Sequence, residues 1–130
     1  MMRTILTAAA ASVVLAGSAA YAHHSYAATY DVTHEIKLEG KIVQFVYRNP
    51  HSFVHVTTND KGESQRWAVE WSGTTQLNNA GVNKESLKVG DVVVITARPS
   101  RVAGEFRALM LTLKRPSDGF TWGSPGQQVD

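Results

Sequence analysis

Hydrophobic and polar positions alternate most regularly between Glu35 and Thr58, EIKLEGKIVQFVYRNPHSFVHVTT. Ile36, Leu38 and Ile42 alternate with Lys37, Glu39 and Lys41, the period-two signature of a strand with one wet face. Gly40 interrupts the run, and glycine inside a strand marks a bend or bulge. Beyond it, Val43, Phe45, Val46 and Tyr47 put bulky side chains on both faces. The pattern predicts a long, bent first strand whose halves pair in different parts of a curled sheet. Asn49-Pro50 turns the chain, because proline pushes the residue before it out of the helical region. The return strand carries Ser52, Val54 and Val56 on its core face, with His51, Phe53, His55 and Thr57 on the other.

Asn59 to Ser64 reads as a hairpin loop with Gly62 free to take a positive φ, and Arg66 to Trp71 as a third strand with Trp67, Val69 and Trp71 on one side. Gly73 to Gly81 predicts a short helix, capped by Thr74 at its start and by Gly81 at its end. The Val92 to Ile95 run in a fourth strand, Asp91 to Arg98, suggests burial on both faces. A fifth strand spans Glu105 to Lys114, with Leu109, Leu111 and Leu113 in phase. The composition after residue 115 predicts a loose tail over 116–130, with Phe120 and Trp122 docking back. The fold class is therefore mainly β: a small five-stranded OB-like barrel over residues 35–115 with one short helix between strands three and four. An SH3-like barrel or small sandwich is the alternative, and the position of the helix favours the OB order.

The start of the chain changes the picture of where this domain works. Residues 1–22 combine Arg3, an apolar run from Ile5 to Ala16, and Ala20-Tyr21-Ala22 as a small-x-small cleavage site, the layout of a secretory signal. The apolar run falls short of the roughly 20 residues needed to span a bilayer, so a cleaved signal is expected, not an anchor. Cleavage after Ala22 leaves a periplasmic or secreted chain beginning His23-His24-Ser25-Tyr26, with residues 23–34 as an extended lead-in; cleavage after Ala20 is the other option. Of 13 Lys and Arg residues, loss of Arg3 leaves 12 against 11 acidic residues, too small an excess for a phosphate-binding surface. No cysteine is present, which excludes disulfides and thiolate metal sites.

HHSYAATYD after the signal, then LEGKI, NPHSFVHV, WAVEW, LKVGDVVVI, RPS and a closing Gly104, resemble a family of short secreted bacterial proteins classed only as a domain of unknown function. The resemblance implies a periplasmic, barrel-like β domain and carries no activity. It marks His23, His24, Asn49, Pro50, His51, Trp67, Glu70, Gly90 and Asp91 without assigning them roles.

Candidate chemistry is sparse. No nucleophile elbow, HExxH, P-loop or dinucleotide glycine pattern is present, and no enzyme is expected. Glu70 lies between Val69 and Trp71, but strand parity points it away from the tryptophans and alongside Arg66, which favours an ion pair over a general acid. Phe45, Tyr47, Phe53, Trp67 and Trp71 either fill the core or, with Glu70, form a ligand platform of the kind OB-folds use. His51 and His55 share a strand face, yet four residues separate their Cα atoms by roughly 13 Å, too far to chelate one ion as a pair. Each can supply one ligand to a metal completed by a lead-in that stretches roughly 26 Å from His23 to Asp31. Two functions of different classes follow. One is a copper(II) site using the mature amino terminus of His23 and a second imidazole, with His51 first and His24 and His55 next. The other is a binding module for a glycan, peptide or periplasmic partner protein. Export argues against nucleic acid, and no transmembrane segment is expected after cleavage.

Overall fold

A computed structural model describes residues 26–123; residues 1–25, which hold the expected signal, His23 and His24, and residues 124–130 lie outside the described residues. The elements are β1 (Ile36–Val46), β2 (Ser52–Asp60), β3 (Glu63–Trp71), α1 (Thr74–Asn79), β4 (Val92–Pro99), β5 (Arg107–Arg115) and β6 (Phe120–Trp122). The sheet runs β3-β2-β1-β4-β5-β6, and a short parallel pairing of β3 with β5 closes the first five strands into a barrel. The expected OB-like order, with its single helix between β3 and β4, is the order observed.

β1 is long because it serves two neighbours. Residues 36–41 pair with β4 and residues 40–46 with β2, so Gly40 faces Val93 on one side and Thr58 on the other. A Cβ built on Gly40 would collide with the Thr57 carbonyl, which explains glycine at the crossing. The bulge expected there falls three residues later: the register slips between Ile42 and Gln44, leaving Val43 unopposed.

Ile42, Val54, Val56, Val69, Val93 and Ile95 are fully buried, and Leu77 of α1 closes the core with Val82 and Leu87. Each such side chain contributes roughly 1.5–3 kcal/mol by leaving water. Ser52 is buried on the predicted core face of β2; its hydroxyl donates to the Arg48 carbonyl at 3.2 Å and accepts the Arg48 N–H at 3.1 Å, tying the corner shut.

Several boundaries differ from the sequence reading. The expected loop at residues 59–64 shrinks to Lys61 and Gly62, both at positive φ (51° and 83°), and the flanking residues pair as strand. β4 alternates instead of burying both faces: Val93 and Ile95 are inside, whereas Val92 is exposed. Leu109, Leu111 and Leu113 do not share a face, because Ala97 pairs with Met110 and Thr96 with Thr112, which bulges Leu111 out. Ala108, Met110 and Leu113 fill the core. Thr74 does not cap α1. Gly73 occupies the cap position, and the exposed Thr74 N–H donates to Asn49 Oδ1 at 2.9 Å, so the cap comes from the Asn49-Pro50 corner, whose peptide is cis. Residues 26–29 are helical, not extended, and Tyr30 bridges to Ser100. Phe120 and Trp122 do dock back, as β6 against Leu113 to Arg115, so ordered structure continues past residue 115.

Candidate functional site

The outer face of β2 and β3 near the corner collects the chemistry. Phe53 and Glu70 are register partners, so their side chains leave the sheet on the same side. Glu70 is 6% exposed, and a carboxylate so placed needs a partner. That partner is Arg107 of β5, whose Nη2 donates to Glu70 Oε1 at 2.9 Å. Arg66, the partner expected from parity, instead donates to Gln44 Oε1 at 2.9 Å. The β3–β5 closure brings Arg107 to the site, a pairing across 37 positions that strand parity alone cannot find. The guanidinium also lies over the Phe53 and Tyr30 rings, at 5.8 and 5.7 Å from their centroids.

The lead-in folds across this face. Asp31 N–H donates to the Pro99 carbonyl at 2.8 Å, which fixes Tyr30 under the lead-in at 1% exposure. Tyr30 Oη accepts Arg107 Nε–H at 2.8 Å. Burial, reinforced by the Glu70 charge, pushes the Tyr30 phenol up to about 12. No sequence signal beyond the TYD motif pointed to Tyr30. Tyr26, one helical turn earlier, places its hydroxyl 2.7 Å from His51 Nδ1, with the two rings edge to face at 5.5 Å. Burial first and Glu70 second raise the Tyr26 phenol, so it is neutral at ordinary pH. The Tyr26 hydroxyl and His51 Nδ1 share a hydrogen bond in which either donates according to the imidazole tautomer, and Nε2 lies 3.5 Å from the same hydroxyl.

The remaining candidates divide. His55 stacks on Phe53 at 6.4 Å, and burial together with nearby Arg66 holds its imidazole below the usual histidine range. His34 is exposed and contacts Asp31 at 2.7 Å. The five aromatics do not form one platform. Phe45 lies against both Tyr47 and Trp71, and Trp71 against Trp122, at the core's edge. Tyr47 spends its hydroxyl on the Thr74 carbonyl at 3.1 Å. Trp67 packs on Phe106, and Phe53 alone stands beside Glu70 and Arg107. His23 and His24 lie outside the described residues. Among the described residues, no three His, Asp or Glu side chains group as a metal site.

On the other side of Tyr26 and His51 lies a cavity of about 200 Å³ whose walls include Trp71, Gln76, Arg98, Met110 and Trp122. Among the described residues, two of these, Trp71 and Arg98, hold buried N–H groups, Nε1 and Nε, that meet no acceptor.

Residues 10–108 match a family of unknown function, DUF6152. The chain belongs to that family. No curated protein matches it. Among solved structures, the mitochondrial single-stranded DNA binding protein Rim1 of S. cerevisiae superposes at a TM-score of 0.50 with 12% identity, covering 63% of this chain and 91% of Rim1. A second crystal form of Rim1 gives a TM-score of 0.46 at 13% identity, over 62% of this chain and 92% of that one. The first likeness extends the OB-type fold to this DUF6152 member and goes no further. Among the described residues, no helix is long and apolar enough to cross a membrane.

Proposed function

We propose that this DUF6152 protein is exported and binds copper(II) through the amine and imidazole of a mature amino-terminal His23 together with the His51 imidazole. The supporting observation is the 2.7 Å contact between Tyr26 and His51. It holds a residue only three positions after His23 against His51, and three residues reach at most about 11 Å. An amine and two imidazoles make the nitrogen-rich set that copper(II) favours in the usual order of affinities. The Tyr26 hydroxyl orients the His51 ring, the part commonly taken by an outer hydrogen-bond partner of a metal-bound histidine. His24 and His55 are the less favoured second imidazoles, and His55 is turned to Phe53.

Placing one extra residue ahead of His23 removes the amine from its chelate ring and tests this reading. Competition titration should then show copper affinity falling at least about tenfold, some 1.4 kcal/mol. Equal affinity of the extended and native chains would remove the site. An ordinary imidazole titrates near about 6.5 and an α-amine near about 7.7–8.0, so copper binding should strengthen from about pH 5 to pH 8 as both lose protons.

A further inference from the structure

We infer that the hollow over Ala68, on the outer face of β1, β2 and β3, is a binding site for a tetrahedral oxyanion, phosphate or sulfate, free or as a monoester. The strand register builds it. Val46 pairs with Phe53, and the next row runs from Gln44 through His55 and Ala68 to Arg107, so these side chains leave the sheet on one side. Ala68 is the small member of its row, and over it lies a groove of about 280 Å³ walled by Val46, Arg48, Phe53, His55 and Arg107. That is near the roughly 300 Å³ at which small-ligand pockets begin.

The polar groups around the hollow are donors. The Arg48 and Arg107 guanidiniums lie 5.5 and 5.8 Å from the Phe53 ring centroid, and the His55 ring lies 6.4 Å from it. Arg107 donates from Nε to Tyr30 and from Nη2 to Glu70, which leaves its Nη1 without a partner among the described residues. Arg48 makes one guanidinium contact there, from Nε to the His51 carbonyl at 3.4 Å, and His55 makes no hydrogen bond. These groups are open to a ligand. Arg48 is exposed and the Arg107 side chain is 38% exposed, and no unpartnered nitrogen of His55 or Arg107 is sealed from solvent.

Charge points the same way. Glu70 is 6% exposed, tied to Arg107 and no part of the groove wall, so two guanidiniums meet on one phenyl ring with a single counter-charge nearby. The chain's near-balanced total charge hides this, because barrel closure is what delivers Arg107 to the ring that Arg48 also covers. An oxyanion supplies the missing charge and accepts from both guanidiniums and the imidazole. The donors come from the corner, from β2 and from β5, so a tetrahedral group with oxygens on several sides meets them better than a planar carboxylate. The site needs neither His23 nor the His51 imidazole, and stands with or without copper.

The test is titration of copper-free mature protein, stripped with a chelator and kept at low ionic strength, with inorganic phosphate, sulfate, phenyl phosphate and acetate. Calorimetry supplies the affinities, and histidine ring NMR at fixed pH locates the ion, since His55 is in the wall and the exposed His34 is not. Phosphate or sulfate should saturate and shift His55 but not His34, with acetate at least about tenfold weaker. Tighter binding of phenyl phosphate than of phosphate would assign the site to an ester, and equal binding to the free ion. Arg48→Gln should lose at least about tenfold in affinity, whereas Lys84→Gln, the same loss of charge at an exposed position outside the groove, should bind as the native protein does. Absence of saturation, acetate equal to phosphate and sulfate, equal losses in the two variants, or native affinity in Arg48→Gln would each overturn the proposal. Should Arg48→Gln fail to fold, the anion comparison and the His55 shift on native protein decide the matter.

Discussion

Tyr30 shows most plainly how a single side chain ties the lead-in to the barrel, since it is buried and its hydroxyl oxygen accepts a hydrogen bond from Arg107 Nε–H. Tyr30→Phe removes that bond while preserving the ring, and should cost about 1.5 kcal/mol in urea unfolding, the lower end for a bond to a charged group. The same phenol gives an alkaline signature. Its folded-state titration is raised to about 12 against 10.0 for the free group, so its contribution is complete below pH 10 and is lost as pH rises toward 12. His55 gives the acid counterpart. Its folded pKa lies below 6.5, so the unfolded chain takes up the proton first, and stability should fall as pH drops from 6.5. Thermal midpoints of His55→Gln should change less between pH 7 and pH 5 than those of the native protein. At this scale the sequence was only partly legible. Parity along β3 put Glu70 on the correct face, but its partner arrives from β5, and its choice depends on barrel closure.

Elements were more legible than their ends. Period-two alternation located β1, β2, β3 and β5, because one face of each is in the core and the other is not, whereas β4 was located by its apolar run, Val92 to Ile95. What alternation misses is a change of phase, and β1 and β5 each carry a bulge that no residue type announces. The helix start is another case: Thr74 has the composition of a cap, yet Asn49 makes the bond from 25 positions away. Asn49→Ala should therefore lower stability by about 1 kcal/mol, whereas Thr74→Ala should fall within about 0.5 kcal/mol of native. A tight turn leads into β4. Gly90 sits at φ +96° with open space around it, and its N–H donates to the Ile42 carbonyl at 2.8 Å. Asp91 completes that turn by accepting the Lys88 N–H and the Arg115 guanidinium. Since nothing crowds a side chain there, Gly90→Ala should cost only the left-handed backbone penalty, about 1–2 kcal/mol, and the thermal midpoint will show it.

For the whole molecule, the barrel is a scaffold that brings three distant pieces of chain together at one end. The Asn49-Pro50 corner offers His51, the β3–β5 closure delivers Glu70 and Arg107, and the lead-in crosses them with Tyr26 and Tyr30. The sequence named His51 but treated the lead-in as an extended strip, since alanine-rich residues 26–29 show no periodicity until they have a surface to fold on. That docking holds Tyr26 against the corner, and the proposed copper site rests on this contact. The most direct test is competition titration of copper(II) with the mature protein, its His51→Ala variant and a synthetic peptide of sequence HHSYAATYD. The account predicts that the native protein binds at least about tenfold more tightly than either of the others. Equal affinity across all three would contradict it, because copper would then be held by the first residues alone, with no part played by the fold.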